Sequence, residues 1–415
     1  MTMTKPTAPK APGLLARLTK NWFYLSLVGI AIVSIVRILT DTNDLTSAGT
    51  IRAAIIATCP ILMAALRGLW AERAGVVNIG LEGQMILGTW GAALFTYHYG
   101  PWVGIIGAAL LGLVGGLLHA IATVTFGVDH IVSGVAINLI GAGAATYLAE
   151  AVFPDLEGGG PRQLVGLDAP ANITIPGASD LALNIADRHW FFVSDVASVI
   201  AALTTNISAL SLVVFSLVAL SAWILWRTSF GLRLRSCGEN PQAAETLGVN
   251  VYLYKYIAVL VSGALAGVGG GFLALVSSSG YSAGQTGGRG YIGLAAMIFG
   301  NWRPGGLLVG ALTFGYTDSL RLRDADAVHS LLVLVALALL AFAAYRAIRQ
   351  QIRGAVIMTV AGGAVMAWFL LTDTVPREFT SMTPYVTTLF VLALGAQRLR
   401  MPAADGVPYR KGSAG

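Results

Sequence analysis

Charge is what this chain has least of: Asp, Glu, Lys and Arg make up 11% of its 415 residues, under half the roughly 25% of a soluble domain. A chain this poor in polar groups cannot cover itself in water. With 56% hydrophobic residues and a mean hydropathy of +0.73, its solvent is a bilayer. Cysteine is nearly missing too. Cys59 lies inside an apolar run and Cys237 in a polar loop, so a disulfide between them is not expected. Neither thiol has ligand spacing to a second thiol or a histidine, and the five histidines are scattered, so no metal site is expected. No Gly-Lys dipeptide occurs anywhere, which excludes a phosphate-cradling loop ending in Gly-Lys-Ser/Thr. No group of nucleophile, base and metal ligand gathers toward one compartment, which argues against an enzyme and leaves no catalytic residue to name. Basic residues do not cluster on a soluble fold, so nucleic acid is not an expected partner.

What the chain has is glycine, 50 residues of it, suited to close helix packing where apolar burial gives no drive between helices. A crossing helix needs about 20 apolar residues. Runs that reach or approach this length cover 22–40, 51–70, 77–98, 102–126, 131–153 and 207–227, then 254–277, 285–301, 305–320, 328–345, 354–372 and 382–397. The fold class expected is an all-α polytopic membrane protein with about 10–12 transmembrane helices. The short, Gly-rich run 285–301 points to broken helices.

Placement of charge orients these runs. Residues 1–21 form a basic leader with no small-x-small cleavage site behind them, and the run from Trp22 reads as a retained first span. With the leader inside, Arg227, Arg233, Arg235, Lys255, Arg346, Arg349, Arg353 and the basic C-terminus fall inside as well. Loop 154–206 falls outside and carries six acidic residues, Asp155, Glu157, Asp168, Asp180, Asp187 and Asp195, against Arg162 and Arg188. It reads either as a docking element or as an unstructured connector. The expected organisation is a leader at 1–21, a first membrane half at 22–227, and a cytoplasmic coupling loop at 228–253. A second half at 254–327 follows, then an additional hairpin at 328–372 and a last span with basic tail at 373–415.

Residues 71–91 carry Asn78, Glu82 and Gln84 into an apolar span, where a central charge costs roughly 2.5–3.5 kcal/mol on insertion scales. The stretch Ile79–Gly88 is echoed by Ile292–Gly300 after one skipped residue. The copies run in opposite directions across the membrane, the mark of inverted-repeat halves meeting around a solute site. Between the sixth and seventh runs, Asn240-Pro241 reads as a helix start, Asn accepting from unpaired N–H groups and Pro fitting the first turn. Gly248 can end that helix left-handed. The product has fewer than two turns, too short to stand alone in water.

Together these segments resemble the permease subunits of ABC importers, in the branch serving nucleosides and simple sugars within the branched-chain amino acid and ribose-type superfamily. The stretch Glu72-Arg-x-Gly75-x-x-Asn78-Ile-Gly80-x-Glu82-Gly83-Gln84 looks like that branch's signature. Gly238-Glu239-Asn240-Pro241-x-Ala243-Ala244-x-x-x-Gly248 looks like its coupling helix, the contact for the ATPase. Pro384-Tyr385 and the tail Arg398-Leu-Arg400-x-Pro402-Ala-Ala-x-Gly406-x-Pro408-Tyr409 extend the likeness. The runs at 328–345 and 354–372 depart from it, and an auxiliary hairpin is one reading of them.

The resemblance implies a bacterial plasma-membrane protein with both termini cytoplasmic. It implies a second permease, identical or homologous, a cytoplasmic ATPase that uses ATP and Mg, and an external solute-binding lipoprotein. This chain itself would bind no cofactor. The solute implied is a nucleoside, or a simple sugar such as ribose. Neutral, hydroxyl-rich solutes need hydrogen-bonding groups, and Asn78, Gln84 and Asn138 could supply them, with Tyr281 and Tyr291 as stacking surfaces or as interfacial anchors. Glu82 could accept hydroxyls, cap a broken helix or pair with a cation. Asp318, His119 and Arg289 read as interfacial. The alternative, an ion-coupled secondary transporter, needs several mid-membrane carboxylates, and only Glu82 qualifies.

Overall fold

Backbone in hydrocarbon has no water to bond, so apolar runs close their own hydrogen bonds as helices. A computed structural model of the chain describes residues 22–323, 325–376, 382 and 399–412. The expected leader and, apart from Met382, the last span with Pro384 and Tyr385 lie outside the described residues. Every other apolar run holds a helix, those at 77–98 and 285–301 only from Leu81 and Arg289 onward. In chain order these are α1 (Trp22–Thr40), α2 (Ala48–Arg73), α3 (Leu81–Tyr99), α4 (Pro101–Ala120) and α5 (His130–Val152). Then come α6 (Ala178–Ala186), α7 (Val193–Thr204), α8 (Ala209–Arg227), α9 (Ser229–Glu239), α10 (Pro241–Thr246) and α11 (Val251–Phe272). Last are α12 (Arg289–Phe299), α13 (Pro304–Arg323), α14 (Ala325–Ile348) and α15 (Ile352–Leu371). Among the described residues, 7 helical segments are long and apolar enough to cross a membrane. The protein is thus an all-α polytopic membrane protein.

The chain divides into two compact units. The larger comprises Thr50–Ile175, Thr204–Arg323 and the described part of Arg377–Gly415. Its centre is an antiparallel crossing of α4 and α11, built on glycine. A Cβ on Gly112 would meet the Gly263 carbonyl oxygen at 2.3 Å, and one on Gly267 would meet that of Ala108 at 2.0 Å. Gly112-x-x-x-Gly116 therefore faces Gly263-x-x-x-Gly267, and the backbones touch with no side chains between them. The α3 helix joins the same contact: a Cβ on Gly88 would lie 2.5 Å from the Cα of Gly267. Both α4 and α11 end in a π-helical turn, Ile121–Thr125 and Leu273–Ser277.

Loop 154–206 is folded, so the reading of it as an unstructured connector fails. Its first part carries β1 (Gly159–Gly160), β2 (Gln163–Val165) and β3 (Asn172–Ile173). The strands pair antiparallel with distant ones: Leu164 of β2 sits opposite Tyr281 of β5 (Gly280–Ser282), and β3 pairs with β4 (Ile207–Ser208). Its second part supplies α6 and α7 to the smaller unit.

The smaller unit gathers the described parts of Met1–Gly49, Pro176–Leu203 and Asp324–Pro376. The hairpin α14–α15 belongs to it. Arg37 on α1, 3% exposed, pairs with Asp195 on α7, 1% exposed, at 3.4 Å. Thr46 donates to the same carboxylate at 2.5 Å, and Thr42 meets Ser330 of α14 at 2.8 Å.

Overpacking a close-packed site costs about 1–3 kcal/mol where side chains can give way, and at Gly267 only backbone is in the way. Gly267→Leu is expected to lower the melting temperature of the purified protein by ~5 °C or more. Gly143→Leu on α5, where a Cβ meets nothing within 4 Å, should leave it unchanged. Differential scanning fluorimetry in detergent checks both.

Candidate functional site

Between α2 and α3 the chain runs for seven residues, Ala74–Gly80, without helix. Broken backbone inside a membrane protein needs partners in other side chains, and here four of its carbonyls have them. Arg67 Nη2 donates to the Asn78 carbonyl at 2.6 Å, His119 Nε2 to that of Val77 at 3.0 Å, and Asn138 Nδ2 to that of Ile79 at 3.1 Å. Lys255 Nζ donates to the Gly75 carbonyl at 3.4 Å. The Val77 N–H donates to His130 Nδ1 at 3.2 Å. These bonds make His130 Nδ1 an acceptor and His119 Nε2 a donor, and His119 Nδ1 meets the Ser133 hydroxyl at 2.8 Å.

Arg67 is the hub of this arrangement. It is 0% exposed, and an unpaired charge at that depth would cost several kcal/mol. Its Nη1 donates to Gln84 Oε1 at 2.9 Å, and Glu72 and Glu82 are its nearest countercharges. Asn78 Nδ2 also reaches Gln84 Oε1 and Ser262 Oγ, both at 3.3 Å, while its Oδ1 accepts from the Gly80 N–H. Asn78 and Gln84, expected to face a solute, are 1% and 0% exposed in this conformation.

A second cluster lies where two helix N-termini meet. The first turn of any helix leaves N–H groups unbonded. In α12 they are taken by Glu82: Oε1 accepts from the Gly288 N–H at 2.8 Å and Oε2 from that of Gly290 at 3.0 Å. Gly288 holds φ +78°, a left-handed turn that glycine enters without strain. Of the three uses the sequence left open for Glu82, capping a broken helix is the one this geometry displays, and the helix dipole reinforces it. In α3 the Gly83 N–H donates to Asn138 Oδ1 at 2.8 Å. Asn138 Nδ2 donates to the Tyr291 hydroxyl at 3.0 Å. Tyr291 is 47% exposed and Asn138 half-buried, so this pair faces outward. Tyr281 does not: it is 2% exposed, edge-on to Phe153 at 5.1 Å. Arg289 and Asp318 form an ion pair at 3.0 Å, and His119 is buried instead of interfacial.

The short helix expected after Asn240 is α10, with Asn240 Oδ1 accepting from the Ala243 N–H at 3.0 Å and Gly248 at φ +81°. Leu247 at its end is 84% exposed. Gly238 packs on the α2 terminus, where a Cβ would meet the Arg73 carbonyl oxygen at 2.4 Å. Arg73 pairs with Glu239 at 3.6 Å and donates to the Trp302 carbonyl.

The tail ties this corner together. Ala404 N–H donates to the Gly238 carbonyl at 2.9 Å, Ala403 N–H to Glu239 Oε2 at 3.3 Å, and Tyr409 to Glu245 Oε2 at 2.5 Å. Ala244 on α10 is 2% exposed beneath it. Asp405 is buried, and burial together with the neighbouring Glu72 carboxyl raises its pKa above the ordinary carboxylate range. Burial also pushes the Cys237 thiol up to about 11. Arg67, the two histidines, Lys255 and Asp405 were all missed as site residues. The signal for Arg67 was an arginine deep inside an apolar run.

A polytopic helical protein whose broken helices meet end to end around paired amides and one capped carboxylate is a membrane transport protein. Comparison with known proteins makes this specific. A family model described as branched-chain amino acid transport system / permease component matches residues 50–344, and the chain belongs to that family. It is 33% identical over 368 residues to the guanosine ABC transporter permease protein NupQ of Bacillus subtilis, covering 87% of this chain and 96% of the relative. It is 33% identical over 365 residues, 86% of this chain and 95% of the relative, to the nucleoside ABC transporter permease protein NupC of Lactococcus lactis. A putative glucose ABC transporter permease protein, TsgC13 of Haloferax volcanii, is 32% identical over 67% of this chain and 78% of its own. No solved structure matches the chain significantly. The protein is therefore a transport subunit of an ABC system, not an enzyme.

Removing the Arg67 guanidinium strands the buried Asn78 carbonyl, at about 1–3 kcal/mol, and takes from Gln84 Oε1 the closer of its two donors. Arg67→Met is expected to abolish recovery of monodisperse protein by size exclusion, whereas Tyr291→Phe should not alter it. Asp405 gives a pH test. Its raised pKa means the folded state favours the protonated form, so tail docking is strongest at acid pH and weakens as pH rises above the ordinary carboxylate range. Hydrogen exchange of the tail, referenced to Asp405→Asn, should show protection falling from about pH 5 to about pH 8 in the native chain alone.

Proposed function

We propose that this chain is one of two permease subunits of an ATP-driven importer of nucleosides. It pairs with an identical or homologous permease, receives solute from an external binding lipoprotein and is powered by a cytoplasmic ATPase in the bacterial plasma membrane. Both termini are cytoplasmic, which puts α9, α10 and the tail on the ATPase side, as the basic residues there favour. The observation that carries the substrate reading is the near full-length similarity to permeases named for guanosine and nucleosides. The chemistry agrees with it: the outward-facing Asn138 and Tyr291 offer amide and aromatic surfaces to a neutral, hydroxyl-bearing solute.

In this reading the sequence-derived residues divide into two groups. Asn138 and Tyr291 line the path. Asn78, Gln84 and Tyr281 hold the scaffold, and Glu82 joins the two helix N-termini, so that any movement of α12 against α3 is felt at Asn138. Gly238, Glu239, Asn240, Pro241, Ala243, Ala244 and Gly248 form the rigid foot on which the ATPase acts, and Leu247 is its exposed tip. ATP-driven closure then reaches the path as rigid-body motion through α2, because Gly238 and Glu239 lie directly against Arg73.

Reconstitution with the ATPase, the partner permease and the binding protein should give ATP-dependent guanosine uptake, competed by other nucleosides and not by ribose. Leu247→Asp is expected to lower that uptake at least tenfold with an unchanged melting temperature. Tyr291→Ala should reduce uptake with the ATPase still bound. Accumulation by the lone chain on a proton or sodium gradient would overturn the proposal, and competition by ribose but not by nucleosides would overturn the substrate.

A further inference from the structure

A groove of about 690 Å³ opens between the end of α8 and the start of α13. Its walls include Trp223, Trp226 and Arg227 from α8, and Arg303 and Gly305 at the α13 end. Trp223 is 58% exposed, and one turn later on the same face stands Arg227. The groove thus begins on the apolar part of a membrane-length helix and ends at its charged terminus. A Cβ at Gly305 would meet nothing within 4 Å, so that wall is not filled.

Positive charge accumulates here without matching negative charge. The guanidinium groups of Arg73 and Arg235 lie over the Trp226 ring, with their Cζ atoms 5.6 and 5.4 Å from its centroid. Arg303 and Arg235 are both close enough to Arg73 to repel it. Of the nearby carboxylates, Glu239 is taken up by Arg73 at 3.6 Å, and Asp405 faces Glu72 and Lys255. Among the described residues, neither Arg227 nor Arg303 takes part in an ion pair. Both are exposed. A basic pocket at the charged end of a membrane-length helix, with tryptophan on its apolar side, is suited to one class of ligand.

We propose that this groove binds one anionic phospholipid, its phosphate held between Arg227 and Arg303 and its acyl chain laid along Trp223. A docking site for a soluble partner would not need the apolar half of the groove, which lies within the spanning part of α8. The run of the groove from the apolar face of α8 at Trp223 to its charged end at Arg227 carries the argument, and not the side of the membrane it faces.

Native mass spectrometry of the purified transporter, titrated with palmitoyl-oleoyl phosphatidylglycerol or the matching phosphatidylcholine, tests this. The expected result is one tightly retained phosphatidylglycerol, bound at least tenfold better than phosphatidylcholine. Arg227→Gln with Arg303→Gln should remove that preference. Gly305→Ile, which fills the groove and keeps both charges, should weaken retention severalfold. Equal retention of the two lipids would overturn the proposal. So would displacement by glycerol phosphate at the same concentration, which would leave only a small-anion site. Unchanged lipid retention in the Arg227→Gln, Arg303→Gln variant with loss of co-purifying ATPase would assign the groove to that partner instead.

Discussion

Seven residues of broken backbone, Ala74–Gly80, are largely buried among packed helices, and side chains from four of those helices supply hydrogen bonds to them. Arg67 comes from α2, His119 from α4, His130 and Asn138 from α5, and Lys255 and Ser262 from α11. Arg67, His119, Asn138 and Lys255 each donate to a carbonyl of the break. That is why a fully buried guanidinium is tolerated: its burial is offset by charge-assisted bonds that no neutral side chain of that length would make.

The break matters because of what begins where it ends. The N-terminus of α3 follows it, and through Glu82 and Asn138 that terminus is joined to α12 and α5. At the other end of the break, Gly75 lies against the tail, and Arg73 lies against Gly238. One short stretch therefore connects the candidate path to the candidate ATPase foot. The connection is made of backbone contact and hydrogen bonds, which pass displacement on instead of absorbing it. The tail, strapped across Gly238, Glu239 and Glu245, couples α10 to the same frame.

The smaller unit has a different logic. Its buried Arg37–Asp195 pair and the Thr42–Ser330 contact bind α1, α7 and the α14–α15 hairpin to one another. The hairpin, which departs from the family resemblance in sequence, is thus integrated with the first described helix and with the second part of loop 154–206. That loop could not be read as folded from its composition, because its helices gain their stability from the ion pair and packing of residues more than a hundred positions away.

Membrane class, helix positions and the α10 foot were legible in the sequence, since apolar run length and the Asn240-Pro241 cap act locally, over one or two turns. Family membership was legible for the same reason: its signature is a contiguous string. The roles within that string were not. Asn78 and Gln84 carry the hydrogen-bonding groups a path would need, yet which way they turn depends on Arg67, seventeen residues before Gln84, and on Ser262, far along the chain from Asn78. Glu82 had three possible uses, and only the arrival of α12, some two hundred residues later, displays one of them. The sequence by itself determined that this is a bilayer protein of permease type, because burial and capping are written residue by residue. Tertiary structure alone decided which polar groups hold the frame and which face outward, because a buried donor takes the acceptor that packing brings to it.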